Sequence, residues 1–251
     1  MEVLIKDLVK NFAKKELLSE EIPRIPYEVA MEKYGSDKPD LRFGMELVDL
    51  NDVLAETEFG VFKNAECVKA ICVKNGASLS RKQIDNFTEI AKSEGAGGLA
   101  YITYIDGEVK SPIVKFLNEN ELSKIKEKTG AEDGDAIFFG ADKREVVNKV
   151  LGRLRNEFAD FFNLKDENKV TLTWVVDFPF YEFDEKNNKV DFGHNPFSMP
   201  KGGVEALRNA KTDAEKLAIK ADQYDMVMNG YEICSGAVRN HNPEVMYEAF
   251  G

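Results

Sequence analysis

The sequence predicts an α+β fold in three parts, residues 1–52, 53–164 and 165–251. In the middle part, apolar runs of strand length alternate with apolar stripes at helical spacing, so this part can bury a core of its own as an inserted α/β domain. Further along, Lys169–Phe178 and Asp222–His241 are rich in the β-branched, Met and Tyr residues typical of strands. We therefore expect the outer parts to contribute strands of a sheet with accompanying helices.

Composition narrows the class of protein. Hydrophobic residues make up 43% of the 251 positions, which is enough for a packed core. The net charge of −11 argues against a free-standing nucleic-acid binder, because such proteins gain most affinity by neutralising phosphates. The N-terminus has no apolar signal region, and no apolar run approaches the roughly 20 residues of a membrane span. Three cysteines without metal-ligand spacing predict free thiols in a reducing compartment. Together these features predict a cytoplasmic protein with no membrane partner.

Strands and helices of the middle part can be read from patterns. A Ser80-x-x-Gln83 capping box predicts the start of one helix, and Asp142 is expected to begin a longer one. The remaining predicted elements are strands over Cys67–Val73, Gly98–Ile105 and Ala136–Gly140, and a short helix over Leu117–Ile125.

The first part begins with an amphipathic pattern. Leu4, Leu8 and Phe12 recur every four residues and predict a helix over residues 2–17. A turn with two prolines follows, and Tyr27 to Tyr34 is predicted to be a short helix.

Two polar, turn-rich stretches are predicted to be surface loops. The stretch Gly35–Phe43 carries several charges, to which the sequence alone assigns no role. The stretch Gly193–Pro200 follows a hairpin predicted around Asp184–Lys189, and it contains His194. A lone loop histidine is more often a surface residue than part of a site.

The stretch Asp222–His241 places charges on otherwise apolar strands. Asp225 and Glu232 are seven residues apart, and Arg239 follows seven residues later. These side chains could be surface charges on a solvated edge. Alternatively, the two carboxylates hold a cation and the arginine binds an anion, since its planar fork can make two parallel hydrogen bonds to one carboxylate.

A shared pocket for these three residues requires an irregular backbone. Strand side chains alternate between faces, so residues seven apart should point in opposite directions. The alternation must be reset twice to bring all three residues to one face. Asn229-Gly230 and Ser235-Gly236 lie inside the two intervals, and we expect a bulge or kink near each pair that brings Asp225, Glu232 and Arg239 to one face.

The stretch Tyr224–Arg239 closely resembles the pattern YDxVxNGxExxxGxxR of bacterial-type aspartyl-tRNA synthetases, a class II family. Further matches are YGSDKPDLRF at Tyr34–Phe43, LSRKQID at Leu79–Asp85 and WVVDFP at Trp174–Pro179. The resemblance implies that the middle part is the inserted GAD domain of this family. It also implies that the outer parts are the catalytic-domain segments after motif 2 and before motif 3, so that they form only part of the class II antiparallel sheet.

The resemblance also implies the roles of four residues. His194 and Arg239 would bind L-aspartate, and Asp225 and Glu232 would bind ATP through Mg²⁺. Many family members carry His-His-Pro at the lid loop where this chain has His194-Asn195-Pro196, so no role is carried over to Asn195. No catalytic residue is assigned within the chain.

The implied activity is ATP-dependent formation of aspartyl-adenylate followed by transfer to tRNA(Asp), by a homodimer. Whether tRNA(Asn) is also a substrate stays open. Motifs 1, 2 and 3 are not in the 251 residues, so the chain is expected to be a fragment of an aspartate–tRNA ligase and inactive alone. Two alternatives stay open: a non-catalytic GAD-type module with tRNA or amidotransferase partners, and a paralogue that binds aspartate or asparagine without catalysis.

Overall fold

The structure, a computed structural model, describes residues 1–250 and divides the chain into two compact units. The flanking unit comprises Met1–Ala30, Asp37–Leu41 and the chain from Asn168 onward, and the inserted unit comprises Met31–Ser36 and Arg42–Glu167. The inserted unit therefore extends beyond the predicted range of 53–164. Its core explains the difference, because Leu47 and Leu50 are buried among its strands and helices.

Helices and strands follow one another along the whole described chain. The helices are α1 (Glu2–Asp7), α2 (Tyr27–Tyr34), α3 (Gly60–Lys63), α4 (Arg81–Ser93), α5 (Glu119–Thr129), α6 (Arg144–Phe161), α7 (Gly203–Asn209), α8 (Asp213–Leu217) and α9 (Pro243–Phe250). The strands are β1 (Glu16–Leu17), β2 (Arg24–Pro26), β3 (Val48–Asp49), β4 (Cys67–Val73), β5 (Ala100–Ile105), β6 (Glu108–Lys110), β7 (Ala136–Asp142), β8 (Lys169–Val170), β9 (Leu172–Val176), β10 (Tyr181–Asp184), β11 (Lys189–Phe192), β12 (Gln223–Met228) and β13 (Tyr231–Ala237). None of the helices in residues 1–250 has the length and apolar content needed to cross a bilayer.

The inserted unit is built on a five-stranded sheet in the order β3-β4-β7-β5-β6, antiparallel throughout. Phe87 of α4 and Phe158 of α6 pack with Phe138 of β7 in the core on one face. Ile125 of α5 and Phe62 of α3 belong to the core on the other face. Because both faces are covered, the central strands β4 and β7 are mostly apolar rather than alternating, with Lys69 of β4 as a buried exception.

A buried ion network lies within the inserted unit. Lys69 of β4 is fully buried, and its Nζ donates to the Glu32 carboxylate at 2.6 Å and to Asn148 Oδ1 at 2.8 Å. The Glu32 carboxylate also accepts from Arg144 at 2.9 Å. A buried ammonium without such partners would be strongly destabilising, so this network fixes the end of α2 against β4 and α6.

The flanking unit contains the four-stranded sheet β13-β12-β9-β2, in which only the β2–β9 pair is parallel. On one face, Val9 and Ile22 pack against Met226. On the opposite face, Ala30 of α2 and Phe178 belong to a separate core. The β10–β11 hairpin forms, as predicted, and packs with α7 and α9 in a third cluster.

Helix boundaries differ from prediction at two places. The N-terminal helix continues from α1 as a π-helix only to Ala13, because Lys14 is left-handed with φ of 53°. The predicted long helix of the inserted unit begins at Arg144 after Lys143, whereas Asp142 ends strand β7. The capping box at Ser80 is confirmed, since its hydroxyl accepts from the Gln83 amide.

Close packing of α6 against Gly35 provides a test of the inserted unit. A Cβ on Gly152 would lie 2.5 Å from the Gly35 carbonyl oxygen. We expect Gly152→Ala to lower the free energy of unfolding in urea by about 1–3 kcal/mol, although alanine normally favours a helix interior by about 1 kcal/mol. Gly60→Ala is the control, since no atom lies within 4 Å of its added Cβ, and it should cost little. A more stable Gly152→Ala protein would contradict the packing.

Candidate functional site

The strands β12 and β13 form a hairpin that carries both acidic residues. Asn229 and Gly230 make its two-residue turn, with φ of 51° and 85°, as hairpins of this type require. The Asn229 side chain anchors the turn to the β8 region: its Oδ1 accepts from the Thr171 amide at 2.8 Å, and its Nδ2 donates to the Lys169 carbonyl at 3.0 Å. The bulge predicted at Asn229-Gly230 is therefore wrong, and the alternation is reset there by a chain reversal.

One register shift lies within the hairpin. Met226 is opposite Cys234, but Val227 is opposite Glu232, so Ile233 has no partner across the ladder. This bulge lies near Ser235-Gly236, as predicted, two residues before that pair. The turn already places Glu232 opposite Val227, on the face of Asp225, and the extra residue Ile233 then brings Ser235 rather than Cys234 to that face.

Arg239 comes to the same face because the bulge at Ile233 resets the alternation of β13. Ser235 is opposite Asp225, and Ala237 and Arg239 follow at steps of two. Arg239 lies beyond β13, where its backbone pairs with Ser198 and its guanidinium carbon is 5.4 Å from the centre of the Phe197 ring. Within residues 1–250 the guanidinium makes no ion pair with a carboxylate, so its fork can accept an anion.

Asp225 is a buried acid in an unfavourable position. It is 3% exposed, and within the described chain its Oδ1 has no hydrogen-bond partner. Burial, and after it the charge of Glu232, raises the pKa of Asp225 from its ordinary 3.8 to about 6, although Lys38 and His194 act in the opposite direction. The geometry therefore leaves an unsatisfied oxygen beside a second carboxylate.

Lys38 and Asp37 complete the site, and the sequence did not assign them a role. Lys38 Nζ lies 2.7 Å from Asp37 Oδ2 and 3.5 Å from Glu232 Oε2. Burial alone would lower the pKa of Lys38, but the hydrogen bond with Asp37 and the nearby carboxylates outweigh it and raise that pKa. The one available indication was that the stretch YGSDKPDLRF is specific to the resembled family.

His194 stands beside the acid pair on an aromatic wall. Its ring centre is 4.9 Å from that of Phe178 and 6.5 Å from that of Tyr27. About a third of its side chain is exposed, with Nδ1 3.9 Å from Glu182 Oε1. Asn195 stabilises the loop in which it lies, because its Oδ1 accepts a hydrogen bond from the Phe197 amide at 3.0 Å.

Comparison with known proteins identifies a domain and a group of similar proteins. Residues 60–151 match the GAD domain family. Over its full length the chain is 44% identical to a protein named aspartate–tRNA(Asp/Asn) ligase from Rickettsia bellii (strain OSU 85-389) and to one of the same name from Pelodictyon phaeoclathratiforme. The chain therefore contains a GAD domain and is similar to part of these relatives. It spans 42% of the length of either relative, and its GAD domain lies inside the inserted unit.

The side-chain oxygens of Asp225 and Glu232 are suitable ligands for a magnesium ion. Among residues 1–250, no group of three or more His, Cys, Asp or Glu side chains could hold a metal. Mg²⁺ commonly takes only one or two carboxylates and completes its shell with water and substrate phosphates. The unpartnered buried oxygen of Asp225, next to Glu232, matches that donor set.

The strain at Asp225 can be measured. In buffer with a chelator at pH 7.5, we expect Asp225→Asn to raise the free energy of unfolding by about 1–3 kcal/mol, because a pKa raised from 3.8 to about 6 corresponds to at most about 3 kcal/mol. As the pH falls through 6 the folded protein takes up this proton first, so the difference should vanish by about pH 4. Glu232→Gln, at an exposed residue, should have a smaller effect. Destabilisation by Asp225→Asn at pH 7.5 would contradict this account.

Proposed function

We propose that the chain provides the aspartate-recognition and magnesium-binding part of an aspartate–tRNA ligase. The reaction is ATP-dependent activation of L-aspartate to aspartyl-adenylate, followed by transfer to tRNA(Asp). The register of the β12–β13 hairpin carries this proposal, because its turn brings Glu232 to the face of Asp225 and its bulge at Ile233 brings Arg239 to the same face. The names of the relatives support the same reaction class.

Arg239 binds the side-chain carboxylate of aspartate in this proposal. A guanidinium makes two parallel hydrogen bonds to a carboxylate, which discriminates against the neutral amide of asparagine. The Phe197 ring supports the guanidinium from one side. Since no carboxylate of residues 1–250 occupies the fork, the substrate carboxylate supplies the missing partner.

Asp225 and Glu232 hold Mg²⁺, which when bound neutralises negative charge on the ATP phosphates. The two residues fix the ion's position through the rigid hairpin, while water and phosphate oxygens complete its coordination. Positioned cations of this kind supply much of the stabilisation in phosphoryl and nucleotidyl transfer.

His194 contributes from the loop between β11 and α7, where it can approach bound aspartate and exclude water. The His194 ring packs on Phe178, which holds this part of the loop next to the site. This is the lid role that the family resemblance predicts for His194. A homodimer and a cytoplasmic location are proposed by analogy with the family. Whether tRNA(Asn) is also charged is left open by the residues of this site.

A non-catalytic GAD-type module with tRNA or amidotransferase partners is the alternative. It would require only the inserted unit, whereas the identity to the relatives extends over the flanking unit as well. The ordered acid pair and Arg239 lie outside the GAD domain at residues 60–151. These observations favour the ligase over the isolated module.

Arg239 is tested by ligand binding. In calorimetry with the 251-residue chain, we expect aspartate to bind more tightly than asparagine. Arg239→Ala should remove this preference, because aspartate loses its charge-assisted hydrogen bonds to the exposed guanidinium, which are worth about 1.5–3 kcal/mol, or roughly 10- to 150-fold in affinity. Arg153→Ala is the control, since Arg153 pairs with Glu157 in α6 and should leave binding unchanged. An undiminished preference in Arg239→Ala would contradict the assignment.

Catalysis by the chain alone is a separate question. We expect the 251 residues to catalyse no aspartate-dependent ATP–pyrophosphate exchange. Motifs 2 and 3 of the resembled family are not among them, so no arginine of those motifs is available to clamp ATP. Loss of one such group typically costs about 100- to 1000-fold. The Rickettsia bellii relative, assayed in parallel, is the positive control. Robust exchange by the chain would show that it holds the complete activating machinery.

A further inference from the structure

The cation nearest to the acid pair is an ammonium from a distant part of the chain. Lys38 Nζ is 3.5 Å from Glu232 Oε2, and its charge also acts on Asp225. Its side chain is 36% exposed, so it reaches the pair from the solvent side of a short loop. The acid pair is therefore partly neutralised by the protein itself.

The loop that carries Lys38 packs closely against the hairpin turn. A Cβ added to Gly230 would lie 3.3 Å from the Asp40 Cβ and 3.8 Å from the Lys38 carbonyl oxygen. Asp40 is 2% exposed, which shows how closely this loop packs. A side chain on Gly230 would therefore be in tight contact with this loop. Gly230 also has a positive φ of 85°, which residues with a side chain rarely adopt.

We infer that Lys38 is an internal counter-ion of Asp225 and Glu232, and that a divalent cation must displace it in order to bind there. The inference rests on the proposed function, which makes these two acids the ligands of Mg²⁺. It adds that the site is occupied by a competing positive charge before the metal arrives.

Geometry makes the two cations competitors. Mg²⁺ binds about 2.1 Å from a carboxylate oxygen, and Lys38 Nζ is 3.5 Å from Glu232 Oε2. Both together would place a divalent ion and an ammonium within about 6 Å, where their repulsion opposes binding. Asp37 gives the ammonium an alternative partner at 2.7 Å, so Lys38 can leave Glu232 without losing all of its pairing.

Mn²⁺ alone, as a probe for Mg²⁺, tests this role without any catalytic assay. Binding to the 251-residue chain is followed by loss of the electron paramagnetic resonance signal of free Mn²⁺. We expect Lys38→Met to bind Mn²⁺ about three- to tenfold more tightly than the unmodified chain, the size expected for one partly exposed charge nearby. Lys38→Arg keeps the charge and should stay within about twofold of the unmodified chain. Lys33→Met removes a lysine that pairs with Glu46 in the inserted unit, and it should change nothing.

The outcomes separate the counter-ion role from the metal site. Unchanged or weaker Mn²⁺ binding by Lys38→Met overturns the counter-ion role, and so does a Lys38→Met effect confined to metal-free ATP binding, which would make Lys38 a phosphate ligand. The double variant Asp225→Asn with Glu232→Gln should abolish Mn²⁺ binding. If it does not, or if neither the unmodified chain nor Lys38→Met binds Mn²⁺, the proposed magnesium site itself is overturned.

Discussion

Two carboxylates that share one small space are the constraint around which the flanking unit is built. Asp225 is buried and Glu232 is its neighbour, and such a pair is stable only if a positive charge lies close by. The hairpin turn places Glu232 on the face of Asp225, the bulge at Ile233 brings Arg239 to the same face, and the Lys38 loop rests on the turn.

The bulge that brings Arg239 to the face of the acid pair depends on the core of the opposite face. Ile233 is unpaired in the ladder, but its side chain packs in the cluster that includes Val9 and Met226. Burial of this side chain offsets the cost of the irregular backbone. The core on one face of the sheet therefore determines which charged side chains reach the other face.

The sequence predicted the elements of the fold better than the geometry of the site. The strand Cys67–Val73 and the helix after Ser80 have local signatures, and both were confirmed. The need for two resets between Asp225 and Arg239 also followed from strand periodicity. The form of the first reset and the residue at the second did not, because Asn229-Gly230 is a hairpin-turn signature that was interpreted as a bulge, and the actual bulge depends on packing by distant residues.

Lys38 could not be predicted because it lies in a polar loop, far along the chain from the acids it neutralises, and only the fold brings them together. Its position bears on how an anionic nucleotide could enter an acidic site. A monovalent ammonium leaves the Asp225–Glu232 pair with a net negative charge, which repels phosphate. A divalent ion that replaces it brings the pair to neutrality and frees the ammonium to move with its loop. Exchange of one cation for the other would therefore convert an acid pair balanced by the protein's own ammonium into a site that accepts ATP.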